Sequence, residues 1–254
     1  MVRFFSLCAC LILASCSTEL KYHMTNHKFI TPETKGEFLR GDIGVAYQLN
    51  QKVVIAKAFD AVVFNLPTAV TTENAMETTS EVNLPITLGL LNRLDFYTLD
   101  EKYGLKFQFL GSPENQRQSG FKAAIAAAYG EEENDSASLT FTNGNSTRTY
   151  STKMKLKNNS VQLLLGNRFN KQFLFYLSLM RDYYKYDGTL TSSQFSTVNL
   201  TGHSLNYGAS LGIHLSGADK NSAFFKAEAG VVKGTLNNHS RTAGTAGGAV
   251  GWSW

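Results

Sequence analysis

Residues 205–216, LNYGASLGIHLS, decide the fold class, because apolar side chains alternate along them with small or polar ones. A period of two is typical of a β-strand with one apolar face, since successive side chains of a strand point to opposite sides. The apolar face consists of Leu205, Tyr207, Ala209, Leu211, Ile213 and Leu215. The opposite face consists of Asn206, Gly208, Ser210, Gly212, His214 and Ser216.

The same alternation recurs along most of the chain and predicts about ten strands, within a range of roughly 8–12. Each is close to the roughly 9–11 residues that a tilted strand needs to cross a bilayer. Besides 205–216, the predicted strands cover residues 38–49, 82–91, 94–99, 103–110, 121–130, 160–167, 172–184, 223–233 and 246–254.

Alternation alone leaves open which face meets lipid, because a soluble ligand-binding barrel also alternates, with its apolar face inward. The less apolar face of these strands is rich in Gly, Ala, Ser and Asn, which suits the crowded inside of a narrow barrel. Aromatic residues lie near strand ends on the apolar face, as in the interfacial girdles of membrane barrels. The composition of the two faces therefore favours a barrel with an apolar outer surface and a hydrophilic lumen.

The connections between the predicted strands alternate in length, and only the link at 100–102 departs from this alternation. Short ones, near 92–93, 112–119, 167–171 and 217–222, alternate with long polar ones, near 50–79, 131–158, 185–203 and 234–244. Short turns at one end and long loops at the other are typical of outer-membrane barrels. We therefore predict an all-β fold: a closed antiparallel transmembrane β-barrel with short periplasmic turns, long extracellular loops and both chain ends on the periplasmic side.

The last strand ends on an alternating apolar pattern formed by Val250, Trp252 and Trp254, and its last residue is aromatic. This pattern resembles the C-terminal signal of bacterial outer-membrane barrel proteins, which the barrel-assembly machinery reads. The resemblance covers residues 37–254 in pattern and implies a barrel domain over that range.

The N-terminus, MVRFFSLCACLILASC (1–16), combines Arg3 with an apolar core that is too short to span a membrane as a helix. It is typical of a secretory signal peptide. Its end, Leu13 to Cys16, resembles the bacterial lipobox, which implies that lipoprotein-processing enzymes remove residues 1–15 and lipidate Cys16. Ser17 in place of Asp implies sorting to the outer membrane. Residues 16–36 are then expected to form a lipidated periplasmic linker.

Composition excludes several other classes of protein. The 254 residues carry a formal net charge of +4 without a basic run, so no nucleic-acid partner is expected. All three cysteines lie within the first 16 residues, and no zinc or phosphate-loop motif occurs, so we expect no metal or cofactor. An acidic run at 131–135 is interpreted as a solvated loop with at most weak affinity for divalent cations.

Charged side chains on the lumen-facing positions are the main candidates for a functional site. In a narrow barrel such residues either pair into a polar core that holds the barrel shut or line a selective pathway for small solutes. The predicted lumen network consists of Arg40, Asp42, Lys106, Lys122, Asp182, His214, Lys226 and Glu228. His203 and Ser204 resemble parts of a lipid hydrolase, but neighbours in a strand face opposite ways, so we expect no catalysis there.

The resulting hypothesis is a non-enzymatic lipoprotein barrel in the bacterial outer membrane, with outer-membrane lipids as partners and a structural or surface role for its loops. A small-solute channel, a soluble lipid-anchored ligand-binding barrel and a lipid-modifying enzyme stay open as alternatives. The membrane assignment requires Leu211, Ile213 and Phe107 to point outward, and Gly212 and Lys106 to point inward.

Overall fold

The computed structural model describes residues 21–24, 29–67, 75–99, 102–217, 219, 221–236 and 239–254. The predicted signal peptide and the lipidated Cys16 lie outside these residues. Among the described residues, no helix is long and apolar enough to span a membrane.

The chain is almost entirely β-strand, with two short helices in the connection after the second strand. The strands are β1 (Lys21–Met24), β2 (Gly41–Val54), β3 (Met76–Asn83), β4 (Ile86–Leu91), β5 (Leu94–Leu99), β6 (Lys102–Leu110), β7 (Gly120–Asn143), β8 (Ser146–Arg168), β9 (Phe173–Thr191), β10 (Val198–Ser216), β11 (Ser222–Leu236) and β12 (His239–Ser253). The helices are α1 (Ile55–Ala58) and α2 (Asp60–Phe64), and a 3-10 turn covers Glu114–Gln116.

The strands form a closed antiparallel ring. From β4 to β12 each strand pairs with its neighbour in sequence, and β2 closes the ring by pairing with both β12 and β4. Strand β3 extends β4, because β2 pairs with both in one register, from Gly41↔Leu88 to Val53↔Met76. Strands β3 and β4 therefore occupy one strand position, which is interrupted next to Pro85, and β1 is an addition to β2. Counted in this way, the ring has ten strand positions. The predicted strand number is confirmed.

Side-chain direction decides between lipid-facing and water-facing barrels. The side chains of Leu211 and Phe107 are 53% and 47% exposed on the outer wall, whereas Lys106 is 1% exposed inside the ring. Gly212 is likewise buried. Exposed apolar side chains recur all around the wall: Ile43, Val45, Tyr47, Leu105, Ile125, Val161, Leu179, Leu211, Val231 and Val250 are examples. A continuous exposed apolar belt is the surface that a membrane-spanning barrel presents to lipid, and closure satisfies the backbone groups that face it.

The two ends of the barrel differ. The end that carries the β4–β5, β6–β7, β8–β9 and β10–β11 connections and the C-terminus is called the turn end below, and the opposite end is the loop end. The long polar connections predicted for the loop end are mostly strand. Strands β7 and β8 continue to a tight turn at Gly144, so residues 131–158 form a tall hairpin rather than a loop. Residues 185–203 and 234–244 also belong largely to strands.

The prediction of a hydrophilic lumen holds only for the turn-end part of the barrel. Toward the loop end most inward side chains are apolar, for example Met154 and Leu156 of β8, although Thr152 also points inward; Lys153 and Lys157 of the same strand point outward. The physical reason is the solvent: where the outer wall leaves lipid and meets water, the lumen becomes the place to bury apolar side chains.

The prediction that residues 16–36 form a periplasmic linker was wrong for residues 29–36. These residues lie inside the barrel, where Phe29, Ile30, Glu33, Thr34 and Lys35 are each at most 4% exposed. Their charged groups are buried because the barrel wall supplies partners of opposite charge, which the sequence of this polar segment alone does not reveal.

Candidate functional site: the filled lumen

Residues 29–36, called the luminal segment below, occupy the turn-end part of the lumen and are bonded to the wall on several sides. The backbone N–H of Thr34 donates to the Gln108 side chain at 2.8 Å, and the backbone N–H of Lys35 donates to Asp95 Oδ1 at 3.0 Å. The backbone N–H of Glu114 donates to the Thr34 carbonyl at 2.8 Å. The luminal segment is therefore an integral part of the folded barrel.

Glu33 is the centre of the first group of charges. The Arg168 guanidinium donates to both of its carboxylate oxygens, with Nε at 2.8 Å from Oε1 and Nη2 at 2.5 Å from Oε2. The Lys122 ammonium lies 3.7 Å from Oε1, and Lys106 donates to the Glu33 backbone carbonyl. Bidentate pairing of this kind fixes the geometry of both groups. All four side chains are almost fully buried, so this arrangement seals the lumen.

Lys35 is the centre of the second group. Its ammonium lies 2.5 Å from Asp42 Oδ1 and 2.7 Å from Glu114 Oε2. Asp42 in turn contacts the Lys226 ammonium at 3.3 Å and accepts a 2.6 Å hydrogen bond from Ser253. Burial alone would raise the pKa of the Glu114 carboxyl, but the adjacent Lys35 ammonium outweighs it and holds this pKa at about 2. Glu114 is therefore ionised at neutral pH, as the ion pair requires.

All eight residues of the predicted lumen network are buried, with exposures between 0% and 5%. The structure brings Asp42 and Lys226 into direct contact and pairs Lys106 with Asp95 at 3.0 Å. Glu228 accepts hydrogen bonds from Tyr176 at 2.5 Å and Ser210 at 3.3 Å. The other residues of this set are Arg40, Lys122, Asp182 and His214.

His214 does not join the ion pairs. Its ring packs edge-on against Phe224, with centroids 5.9 Å apart, and neither ring nitrogen has a hydrogen-bond partner among the described residues. Asp182 lies farther from the turn end, on β9 opposite Asn206. The set predicted from alternation is therefore divided between ion pairs near the luminal segment and separate positions on the wall.

Several residues that organise the network were missed. Asp95 has the same strand parity as the inward Tyr97, and Arg168 has the same parity as Leu164 but lies one residue past the predicted strand end, so the alternation contained a signal for both. Glu33 and Lys35 precede the alternating region, and Glu114 lies in a turn, where no periodicity applies. Only the structure shows that these three enter the lumen.

The loop-end part of the lumen is filled by apolar side chains, which we call the apolar plug. Val63 of α2 and Phe59, which lies between α1 and α2, belong to this cluster. The Phe59 ring meets Tyr186 edge-on, with centroids 5.5 Å apart. The Arg148 guanidinium covers the apolar plug and lies 4.8 Å from the ring centre of Phe64 and 5.1 Å from that of Phe195. The strands contribute Val53, Leu139, Phe141, Tyr150, Met154, Leu156, Tyr184, Leu190, Leu200 and Leu236.

One cavity beside the strand interruption, lined by residues that include Asp42, Pro85 and Lys226, has a volume of about 10 Å³. That volume accommodates about one water molecule. Higher up, the Lys102 ammonium crosses the lumen to within 3.2 Å of the Tyr184 hydroxyl.

The remaining sequence candidates lie outside the lumen network. His203 stacks on Tyr183 on the outer wall, whereas the buried Ser204 donates a 2.6 Å hydrogen bond to the Thr235 carbonyl, so the two lie on opposite faces. The acidic run belongs to β7, and its Glu131 contacts Lys155 and Lys157 of β8. No group of three or more His, Cys, Asp or Glu side chains in the described part of the chain is arranged to hold a metal ion.

The residues of the predicted C-terminal signal line the outer wall at the turn end. Val250, Trp252 and Trp254 are 58%, 51% and 40% exposed. The backbone of Trp254 exchanges two hydrogen bonds with Gly41, and its indole N–H donates to the Leu39 carbonyl at 3.1 Å. The last residue thereby joins the two ends of the ring where β12 meets β2.

Comparison with known proteins finds similarity to solved structures. No protein-family model and no curated protein sequence matches the chain. The chain is similar to Ail, the attachment invasion locus protein of Yersinia pestis, with 13% identity over 86% of this chain and 100% of that one, at a TM-score of 0.34. The structure of Ail with the heparin analogue sucrose octasulfate gives 12% identity, the same coverage and a TM-score of 0.35. The outer-membrane protease OmpT of Escherichia coli gives 9% identity over 93% and 98%, at a TM-score of 0.37. These values assign no activity to the chain.

Proposed function

We propose that the protein is a non-enzymatic β-barrel lipoprotein of the bacterial outer membrane, with a closed lumen and a surface-interaction role for its tall loop-end hairpins. The observation that carries the proposal is the combination of an apolar outer belt with a lumen filled at both ends. An apolar belt requires lipid around it. A lumen occupied by ion pairs and aromatic side chains provides no water-filled pathway.

The composition of the outer wall supports contact with charged lipid headgroups above the belt. Tyr129 ends the apolar part of β7, and Glu131 follows as the next outward residue. At a similar level, Lys157 of β8, Lys185 of β9 and His203 of β10 lie directly opposite one another in register. The ammonium groups of Lys157 and Lys185, placed side by side on neighbouring strands, repel one another. Anionic headgroups at the bilayer surface would relieve that repulsion.

A channel would conduct ions across a membrane, whereas a barrel with a closed lumen would not. We expect the purified protein to give no discrete conductance steps in a planar bilayer, because the luminal segment and the apolar plug block the lumen in series. Heat-modifiable migration of the same preparation on a gel serves as the control that the barrel is folded. Reproducible ion-selective steps from folded protein would refute the closed lumen and favour the channel.

The lipid anchor and the barrel make separable contributions to membrane attachment. We expect Cys16→Ala to stay in the membrane fraction after an alkaline wash and to keep its heat-modifiable migration, because the apolar belt still requires lipid. The wild-type chain is the matched control for both measurements. Release of the folded variant into the soluble fraction would instead identify a water-soluble barrel held by its lipid.

A further inference from the structure

The luminal segment has a defined direction. At its start, Phe29 packs against Ala46 and Ala249, well inside the barrel wall. At its end, the Gly36 carbonyl accepts a 3.0 Å hydrogen bond from Asn115 in the β6–β7 connection. Between them, Glu33 meets Arg168 near the turn-end terminus of β8. From residue 29 to residue 36 the chain therefore runs toward the turn end, and β2 then returns toward the loop end.

Strand β1 gives the same direction from an independent contact. It pairs antiparallel with the loop-end part of β2, from Lys21↔Val54 to Met24↔Gln51. Residue 21 thus lies at the loop end of the barrel, and β1 runs from there toward the turn end. Residues 21–24 therefore lie at the opposite end of the barrel from the one expected for the segment before the first wall strand, because that expectation treated the segment as a linker outside the barrel.

The reach of the chain limits where an anchor on Cys16 can lie. Lys21 lies five positions after Cys16, and a fully extended chain spans about 18 Å over five residue steps. From Val54 down to Gly41, strand β2 covers about 43 Å along its length. An acyl group on Cys16 therefore cannot reach the turn-end leaflet. It can reach the loop-end rim of the apolar belt at Leu49, about 16 Å below Val54 along the strand.

From these two contacts we infer that the chain enters the barrel through its loop-end mouth, so that an acyl anchor on Cys16 is held in the outer leaflet. The acyl group itself rests on the function proposed above, whereas the path of the chain does not. The ion pairs of Glu33 and Lys35 hold the luminal segment in this orientation. Because the β2–β12 and β2–β4 pairings close the ring around it, the segment has to be in place when the barrel closes.

The path can be tested by labelling introduced thiols on intact cells with a membrane-impermeant maleimide. Thr18→Cys reports the chain just before β1. Ser196→Cys in the exposed β9–β10 loop is the matched loop-end control, and Asn221→Cys in the exposed β10–β11 turn is the turn-end control. We expect Thr18→Cys and Ser196→Cys to label equally on intact cells, and Asn221→Cys to label only after the outer membrane is permeabilised. Only the heat-modifiable, folded species is scored.

Mass spectrometry of the mature N-terminal peptide separates this inference from the proposed lipidation. Acylated Cys16 together with labelled Thr18→Cys supports both. If Cys16 is acylated but Thr18→Cys labels only after permeabilisation, the path is refuted and the lipoprotein assignment stands. If Cys16 carries no acyl group, the wild-type chain itself labels through its free thiol on intact cells; the path is then supported and the anchor is refuted.

Discussion

Replacement of Arg168 by methionine is expected to lower the free energy of unfolding by about 3–5 kcal/mol, the usual cost of removing one partner from a buried ion pair. The substitution leaves the fully buried Glu33 carboxylate without its bidentate partner, and Lys122 at 3.7 Å is too distant to replace it. Because Glu33 belongs to the luminal segment, the loss also loosens that segment from the wall. Denaturant unfolding in detergent or lipid, followed by heat-modifiable migration, measures the change.

Two further variants separate the buried charge from a general effect of substitution. Adding Glu33→Gln to Arg168→Met should recover part of the lost stability, because the uncompensated charge is removed. Lys153→Met removes an exposed ion pair to Glu133, in which the side chains are 67% and 50% exposed. It should change stability by less than about 1 kcal/mol. If Arg168→Met proves as mild as Lys153→Met, the luminal segment is not held by the pair at Glu33.

The alternation of side chains predicted the strands in the lipid-facing part of the barrel wall correctly, but the prediction was wrong for the part of the wall near the loop end. Along β8, even-numbered side chains point inward throughout, from Met154 to Arg168. In the lipid-facing part the outward residues are apolar, such as Val161 and Leu165. Above it the outward residues are lysines and the inward ones are Met154 and Leu156. The two-residue period therefore continues, but the outer face becomes polar and the inner face becomes apolar. Because the sequence prediction required an apolar outer face, it interpreted these residues as a loop.

The contents of the lumen were predictable only in part, for a different reason. Side chains carried by wall strands, such as Asp42 and Lys226, follow strand parity and were placed correctly in the interior. Lys35, which pairs with Asp42, and Glu114, which pairs with Lys35, come from a segment and a turn with no periodicity. Which non-strand residues enter a barrel depends on long-range charge pairing, and Lys35 and Glu114 are 79 positions apart in the sequence. A local pattern carries no information about such a pair.

Small residues on the inward face were attributed to a narrow lumen, and three glycines show a more specific cause. Gly104, Gly202 and Gly212 each lie directly opposite a tyrosine on the neighbouring strand, namely Tyr97, Tyr186 and Tyr176. In each pair the tyrosine ring covers the glycine so closely that an added Cβ would overlap it. Aromatic rings that cover strand glycines are a known means of stabilising curved sheets.

Gly212→Ala is the second substitution for which we expect a large loss. The new Cβ would overlap the ring of Tyr176, which is fully buried and donates a 2.5 Å hydrogen bond to Glu228, so the ring has no free space to move into. Overpacking of this kind costs about 1–3 kcal/mol. We expect a value in the upper part of that range, because the displaced ring also weakens the bond to Glu228. Denaturant unfolding of the reconstituted barrel measures it.

Gly248→Ala is the matched control, since Gly248 is also a strand glycine but its added Cβ would meet only ordinary contacts, 3.6 Å from the Lys226 carbonyl oxygen and 3.9 Å from Phe225. It should leave stability nearly unchanged. A double-mutant cycle gives the sharper test, because Gly212→Ala should cost much less in a Tyr176→Ala background, where the overlapping ring is absent. Equal costs in both backgrounds would show that ring overlap is not the cause, and would point instead to a requirement of the β10 backbone for glycine.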